Sequence, residues 1–224
     1  MNAREDLVRT AIWAEELAPD EIERARRGIS ERQFAKGAYI CHRGDRLDCW
    51  TGVITGLVKV STISRSGKAM TFAGVGPGSW FGEGSVLKDE PRKYDLVTLR
   101  ETRLAMLSRP TFMWLCENST GFNRFLVRQL NERIAQFIST VEYDRILHPK
   151  ARVARSLAWF FNPMLYPVRR TEIEITQEEL ALLAGLSRPV TSKSLRELEE
   201  EGLLSVEHGL IRVIDANALS NYEV

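Results

Sequence analysis

The chain has 224 residues, 44% of them apolar and 27% charged, and its formal net charge is +1. Those values suit a soluble globular protein of one large domain or two small ones, and they exclude a bulk basic field as the source of any nucleic-acid affinity. Three cysteines (Cys41, Cys49 and Cys116) without a C-x-x-C pair argue against a disulfide framework and fit a reducing cytoplasm, and no run reaches the ~18 apolar residues of a membrane span.

Residues 3–17 and 20–30 read as short helices around Pro19-Asp20, with Leu7, Ile12, Leu17 and Ile22 as buried positions. The mixed charges of this segment rule out the apolar core of a signal peptide. From about Gln33 the period changes. AYICHR, WTGVITG, LVKVSTI, AMTFAGV, DLVTLR and RLAMLS are strand-length runs separated by glycines, with Arg65-Ser66-Gly67-Lys68 as a hairpin turn. Such spacing predicts an all-β sandwich or barrel.

Inside that module, Gly74-Val75-Gly76 lacks the third glycine of a dinucleotide fingerprint, and no long helix follows. Phe81-Gly82-Glu83, with Pro91-Arg92 eight and nine residues after Glu83, is more informative. A glycine admits a ligand close to the backbone, a carboxylate can accept a ribose hydroxyl, and an arginine can make a bidentate pair with a phosphate. A surface Glu and Arg in a turn is the alternative.

After Arg109-Pro110 the pattern is helical to about Leu147. Val127, Leu130, Ile134, Phe137 and Val141 follow a 3-4-3-4 spacing, the seam of a coiled coil. Pairing with a second copy and packing on the chain's own domain are the two readings of that stripe. Pro149 breaks the helix, which sets domains at 1–147 and 148–224. Residues 150–161 form a further helix with Val153, Leu157 and Phe160 or Phe161 inside, and a short strand lies between Val168 and Ile175.

ITQEELALLAGLSRPVTSKSLRELEEEGLL parses as two helices and a tight turn. Thr176 and Glu179 form a capping box, Leu180, Leu183 and Ala184 supply a buried stripe, and Gly185 ends the first helix. Ser187 caps the second, with Pro189 in its first turn. Thr191, Leu195 and Leu198 face inward, while Ser187, Arg188, Pro189, Val190, Ser192, Lys193 and Arg196 form the candidate DNA surface. A helical hairpin with a solvated basic face is the alternative. LLSVEHGLIRVI then makes a hairpin about His208-Gly209, a wing whose His208 or Arg212 could touch phosphates. From His148 onward nine Lys/Arg stand against eleven Asp/Glu, so any DNA affinity must be local.

This order of parts resembles the Crp/Fnr family of bacterial transcription regulators over nearly the whole chain, most specifically in FGE with PR and in the helix-turn-helix stretch. The resemblance implies an α+β fold: an N-terminal β-roll (a jelly roll like a cyclic-nucleotide-binding domain), a long dimerisation helix at about 118–147, and a C-terminal winged helix-turn-helix. It implies a cytoplasmic homodimer that reads an inverted repeat in double-stranded DNA, with RNA polymerase and a small-molecule effector as further partners. Half-sites would lie roughly one helical turn, ~34 Å, apart. Gly82, Glu83 and Arg92 match cyclic-nucleotide-binding positions, with Lys93, Phe137 and Ile138 at neighbouring effector positions. Lys93 replaces a usually small residue, Gly84 an aliphatic one, and Phe137-Ile138 a Thr-Ser pair that contacts adenine. Pro189 stands where glutamate is common. A cyclic nucleotide is therefore one expectation for the effector; another ligand, or a constitutive protein with a vestigial pocket, is the other.

Iron–sulfur sensing finds no suitable cysteine cluster, Cys41-His42 could be imagined as haem ligands but such a lone strand pair is far more often structural, and no metal site is expected. The sequence offers no P-loop and no nucleophile–base pair, so catalysis is not expected.

Overall fold

The computed structural model describes residues 11–64, 67, 69–168 and 170–223. Leu7 and three residues of the expected hairpin turn, Arg65, Ser66 and Lys68, lie outside them. The chain forms two compact units: residues 11–62 with 72–131, and residues 132–223 with the described part of 63–71.

In the first unit a 3₁₀ turn, Ile12–Glu16, precedes helix α1, Pro19–Gly28. The described part of the expected 3–17 helix is thus only this turn, and Trp13 and Ala14 are its buried residues, while Ile12 is half-buried. The i→i+3 bond geometry and Pro19 at the next helix start confine it to one turn. Eight described strands follow, all within the first unit except residue 63 and residues 69–71: β1 (Ile29–Phe34), β2 (Tyr39–Cys41), β3 (Cys49–Thr55), β4 (Val58–Ile63), β5 (Ala69–Val75), β6 (Trp80–Phe81), β7 (Asp95–Thr98) and β8 (Thr102–Ser108). A short helix, α2 (Glu83–Lys88), follows β6. The strands make two four-stranded sheets, ordered β1-β8-β3-β6 and β2-β7-β4-β5.

Strand β1 was not expected. It is an edge strand, ISERQF, buried mainly at Ile29, so it carries little of the alternating apolar pattern that marks a half-buried strand. Strand β3 is buried along nearly its whole length because both of its faces are covered. Cys49 and Val53 join Val58, Val60, Val75, Phe81, Leu96, Leu104 and Met106 in the core between the sheets.

Trp50, on the opposite face, enters an aromatic cluster. Its ring centroid lies 4.6 Å from Trp80, 5.5 Å from Trp13, 5.5 Å from Phe112 and 5.5 Å from Phe122. Phe112 comes from α3 (Arg109–Asn118) and Phe122 from α4 (Thr120–Ile146), 27 residues long. The start of α4 is held by the N-terminal segment: Ser119 donates to Glu21 at 2.8 Å, and Arg128 pairs with Glu16.

The second unit contains α5 (Pro149–Ala158), β9 (Glu172–Glu174), α6 (Gln177–Ala184), α7 (Arg188–Glu200), β10 (Leu204–Glu207), β11 (Leu210–Val213) and α8 (Ala216–Ser220). The three strands pair as β10-β11-β9. Phe160, not Phe161, takes the buried place after α5. No described helix is long and apolar enough to cross a membrane.

Trp13→Ala should cost about 3–5 kcal/mol, because a fully buried indole leaves a cavity among rings that cannot close around it. Urea unfolding of the variant and parent measures the difference.

Candidate DNA-binding and effector sites

The helix-turn-helix forms as its caps dictate. Thr176 Oγ1 accepts from Glu179 N at 3.2 Å, and Glu179 Oε2 accepts from Thr176 N at 2.8 Å. Gly185 takes φ +65°, and Leu186 N closes on Ala181 O at 2.9 Å. Leu180, Ala181 and Ala184 are buried, whereas the expected Leu183 is half-buried.

Ser187 holds the N-cap position of α7 by its backbone, yet its side chain makes no cap bond. A capping hydroxyl accepts from the second or third helical N–H, and Pro189 occupies the second place without one. The Ser187 carbonyl instead accepts from Thr191 N at 3.0 Å and Thr191 Oγ1 at 3.1 Å.

Thr191, Ser194, Leu195 and Leu198 are buried, as the helical period requires. Arg188, Pro189, Val190, Lys193 and Arg196 are exposed, and Ser192 is half-buried. One face of α7 therefore presents a contiguous cationic and hydroxyl surface to solvent. Lys193 lies 3.8 Å from Glu197, an exposed contact of little energetic weight.

The acidic run that follows is engaged elsewhere. Glu199 Oε1 accepts from Val206 N at 2.8 Å, which ties β10 to α7. Glu201 accepts from Lys150 at 2.8 Å and Tyr222 at 2.7 Å, and these two hold its carboxyl below the usual range. The net negative count of this region thus does not describe the field at Arg188.

In the wing, Leu204 pairs with Val213 and Glu207 with Leu210 around the exposed His208. Arg212 does not present a free fork. Its Nε and Nη2 donate to Glu172 Oε1 at 3.0 and 2.8 Å across β11 and β9.

In the β-roll, Gly82 and Arg92 are brought into contact. Gly82 has φ +91°, and a Cβ there would overlap the Arg92 guanidinium. Arg92 is 1% exposed and aims inward, with Nη1 on Gly82 O at 2.9 Å and Nη2 on Cys49 O at 2.9 Å and Leu47 O at 3.5 Å. Its Nε has no hydrogen-bond partner among the described residues. Glu83 is buried as the first residue of α2. Lys93 points outward and pairs with Glu90 at 3.0 Å. Arg43, Gly44, Glu90, Pro91, Arg92 and Lys93 line an open concavity of about 500 Å³.

Phe137 and Ile138 sit on the second half of α4, exposed, in the second unit. Val127, Ile134 and Val141 are also more than half exposed, and Leu130 is half-buried. The face of α4 that packs on its own domain is a different one: Phe122, Phe125, Leu126 and Gln129. Gln129 Nε2 donates to Trp80 O at 3.2 Å, two residues before Gly82. Sequence reasoning missed Gln129, although its place seven residues after Phe122 puts it on that buried face.

Burial pushes the thiols of Cys41 and Cys49 up, and that of Cys116 to about 11, so all three are protonated at neutral pH. Among the described residues, no group of His, Cys, Asp or Glu is arranged to hold a metal ion.

A β-roll followed by a long helix and a winged helix-turn-helix is the architecture of a two-domain transcription regulator. Residues 31–119 match the cyclic nucleotide-binding domain, and residues 151–222 match the Crp-like helix-turn-helix domain. The chain is 30% identical over 205 residues to the cyclic AMP receptor protein of Thermus thermophilus, covering 91% of this chain and 92% of that one. It is 26% identical over 223 residues to the CRP-like cAMP-activated global transcriptional regulator of Mycobacterium tuberculosis, covering 96% and 97%. The fold is similar to that of FixK2 from Bradyrhizobium japonicum, with a TM-score of 0.73 at 15% identity over 88% of this chain and 98% of that one. The chain belongs to the Crp/Fnr family of transcription regulators.

Arg92→Leu would strip the guanidinium donors from the buried carbonyls of Gly82 and Cys49. Gly82 O keeps its bond from Val86 N at 3.3 Å, so only Cys49 O loses its donor outright, and at about 1–3 kcal/mol for one unsatisfied group that is the expected loss without any ligand present. Thermal and urea unfolding check this, and an unchanged midpoint would show that the inward bonds contribute nothing.

Proposed function

We propose that this regulator acts as a cytoplasmic homodimer, reads an inverted repeat through α7, and responds to a small anionic effector at the Gly82–Glu83–Arg92 cassette. The observation that carries the DNA reading is the division of α7. Its buried residues are all apolar or small hydroxyl types, and its exposed ones include Arg188, Lys193 and Arg196. Arginine and lysine donate to guanine edges or phosphates in a major groove, and Val190 suits a thymine methyl. RNA polymerase is the further partner this reading implies. Residues 1–147 would carry effector binding and pairing, and 148–224 DNA binding.

Dimerisation is supported by the bare stripe on α4. Val127, Ile134, Phe137 and Val141 are exposed at seam spacing while the opposite face is already packed. Three free cysteines are consistent with a reducing compartment. Cyclic AMP is the first effector to test, since one similar protein is named as its receptor and another as cAMP-activated.

A second reading, an effector-independent regulator, is favoured by two specific observations. The Arg92 guanidinium is already bonded to backbone carbonyls, and Phe137-Ile138 offers no side-chain hydrogen-bonding group. A thermal-shift titration with cyclic AMP separates the two: saturable stabilisation supports effector control, and its absence across cyclic nucleotides and metabolites supports constitutive binding.

Selection from random duplexes should recover a two-fold symmetric site bound with a steep loss of affinity as salt rises. Against that site, Arg188→Ala should cost about 1–3 kcal/mol and relax preference at one base position; a uniform loss over all sequences would make Arg188 a phosphate contact. Ile134→Asp should convert the dimer to monomer in sedimentation velocity, because a charge in a closed apolar seam has no partner.

A further inference from the structure

Residues Leu147 and His148 connect α4 to α5, and a second, non-covalent connection runs beside them. Arg152, in the first turn of α5, has a side chain only 13% exposed. Its Nε and Nη2 donate to Ala184 O at 3.1 and 2.7 Å, and Nη2 also reaches Gly185 O at 3.3 Å. These carbonyls belong to the end and turn of α6, where a helix leaves acceptors unpaired and presents the negative end of its dipole. The same Nη2 bonds Asp144 Oδ1 at 2.6 Å, on the last turns of α4. One guanidinium therefore holds the turn of the helix-turn-helix and the end of the long helix together.

Two further features belong to this joint. A Cβ on Gly185 would stand 2.7 Å from Arg152 Nη2 and 3.6 Å from Asp144 Oδ1, so the glycine makes room for the arginine as well as for the turn. Asp144 lies three residues after Val141, so it shares a helix face with the seam and moves with it. The halves of the joint differ in strength. The bonds to Ala184 are partly buried, whereas the Asp144 side chain is 69% exposed. Water competes more strongly for the exposed carboxylate than for the partly buried Ala184 carbonyl, so the Asp144 half releases first.

We propose that Arg152 is a positioning residue that fixes the helix-turn-helix against the end of the long helix, with Asp144 as its releasable half. In a dimer this joint sets the half-site spacing that the two α7 helices accept. The spacing consequence rests on the DNA-binding reading above; the orientation of α6 against α4 within one chain does not.

The first measurement is a distance distribution between nitroxides at Glu142→Cys on α4 and Glu178→Cys on α6, in a Cys116→Ser background diluted with unlabelled protein. The parent should give one narrow distribution. Asp144→Ala should broaden it, and Asp144→Glu should restore it, with the thermal midpoint nearly unchanged because an exposed ion pair contributes little to global stability. An unchanged distribution in Asp144→Ala, or broadening only alongside a large drop in midpoint, would overturn the proposal.

The second measurement uses duplexes whose half-sites differ by one base pair in separation. A parent preference of about tenfold for one spacing should fall to about threefold or less in Asp144→Ala. An undiminished preference also overturns the proposal. A parent that binds no duplex counts against the DNA-binding reading alone, and the distance distribution still decides the joint.

Discussion

The outer face of the β1-β8-β3-β6 sheet carries Trp50, and burying that ring fixes where the first half of the long helix lies. A single indole there needs cover from several sides, and the cover comes from Trp13, Trp80, Phe112 and Phe122. Phe122 brings the start of α4 down with it, and Phe125, Leu126 and Gln129 pack on the same face. A helix has limited circumference, so packing this face leaves Val127, Ile134, Phe137 and Val141 on the bare side. The stripe that suits a partner is thus bare because another face of the helix is already satisfied. Gln129 adds a polar tie from this packed face to Trp80 O, next to the cassette.

A buried arginine and a half-buried one use one device in different places. Arg92 in the β-roll and Arg152 beside the helix-turn-helix each donate to backbone carbonyls, and each lies where a glycine at positive φ leaves out a Cβ. The guanidinium is suited to this because it offers five donors in a rigid plane and keeps its charge when partly desolvated. At Gly82 the result is a cassette closed from within. At Gly185 it is a helix end stitched to a neighbouring helix. Both glycines carry a steric role beside the conformational one.

Charge is likewise apportioned by contacts more than by composition. The region after His148 is slightly acidic, yet Glu199 and Glu201 bond to Val206, Lys150 and Tyr222. Glu172 occupies Arg212 on the wing. What is left toward solvent at the start of α7 is cationic, and a short-range field is what a phosphate or base edge samples within a Debye length.

Much of this was legible in the residues. Seam spacing, the Thr176–Glu179 capping box, the Gly185 turn and the inward Thr191, Leu195 and Leu198 follow from helical period and cap chemistry, which are local properties. The β-roll strands were readable wherever their faces alternate or their apolar runs are continuous. Strand β1 was not, because an edge strand gains its identity from the neighbour it pairs with. The Ser187 side chain makes no cap bond: Pro189 removes one of the two N–H groups that could have donated to it, and the other, on Val190, is not used. Tertiary structure alone decided that Arg92 turns inward, that Arg212 is occupied, that Trp13 is a core residue, and that Arg152 reaches Asp144 and Ala184 together. Each of those is a contact between residues far apart in the chain or on different elements, and no local pattern encodes which carbonyl or carboxylate a long side chain will meet.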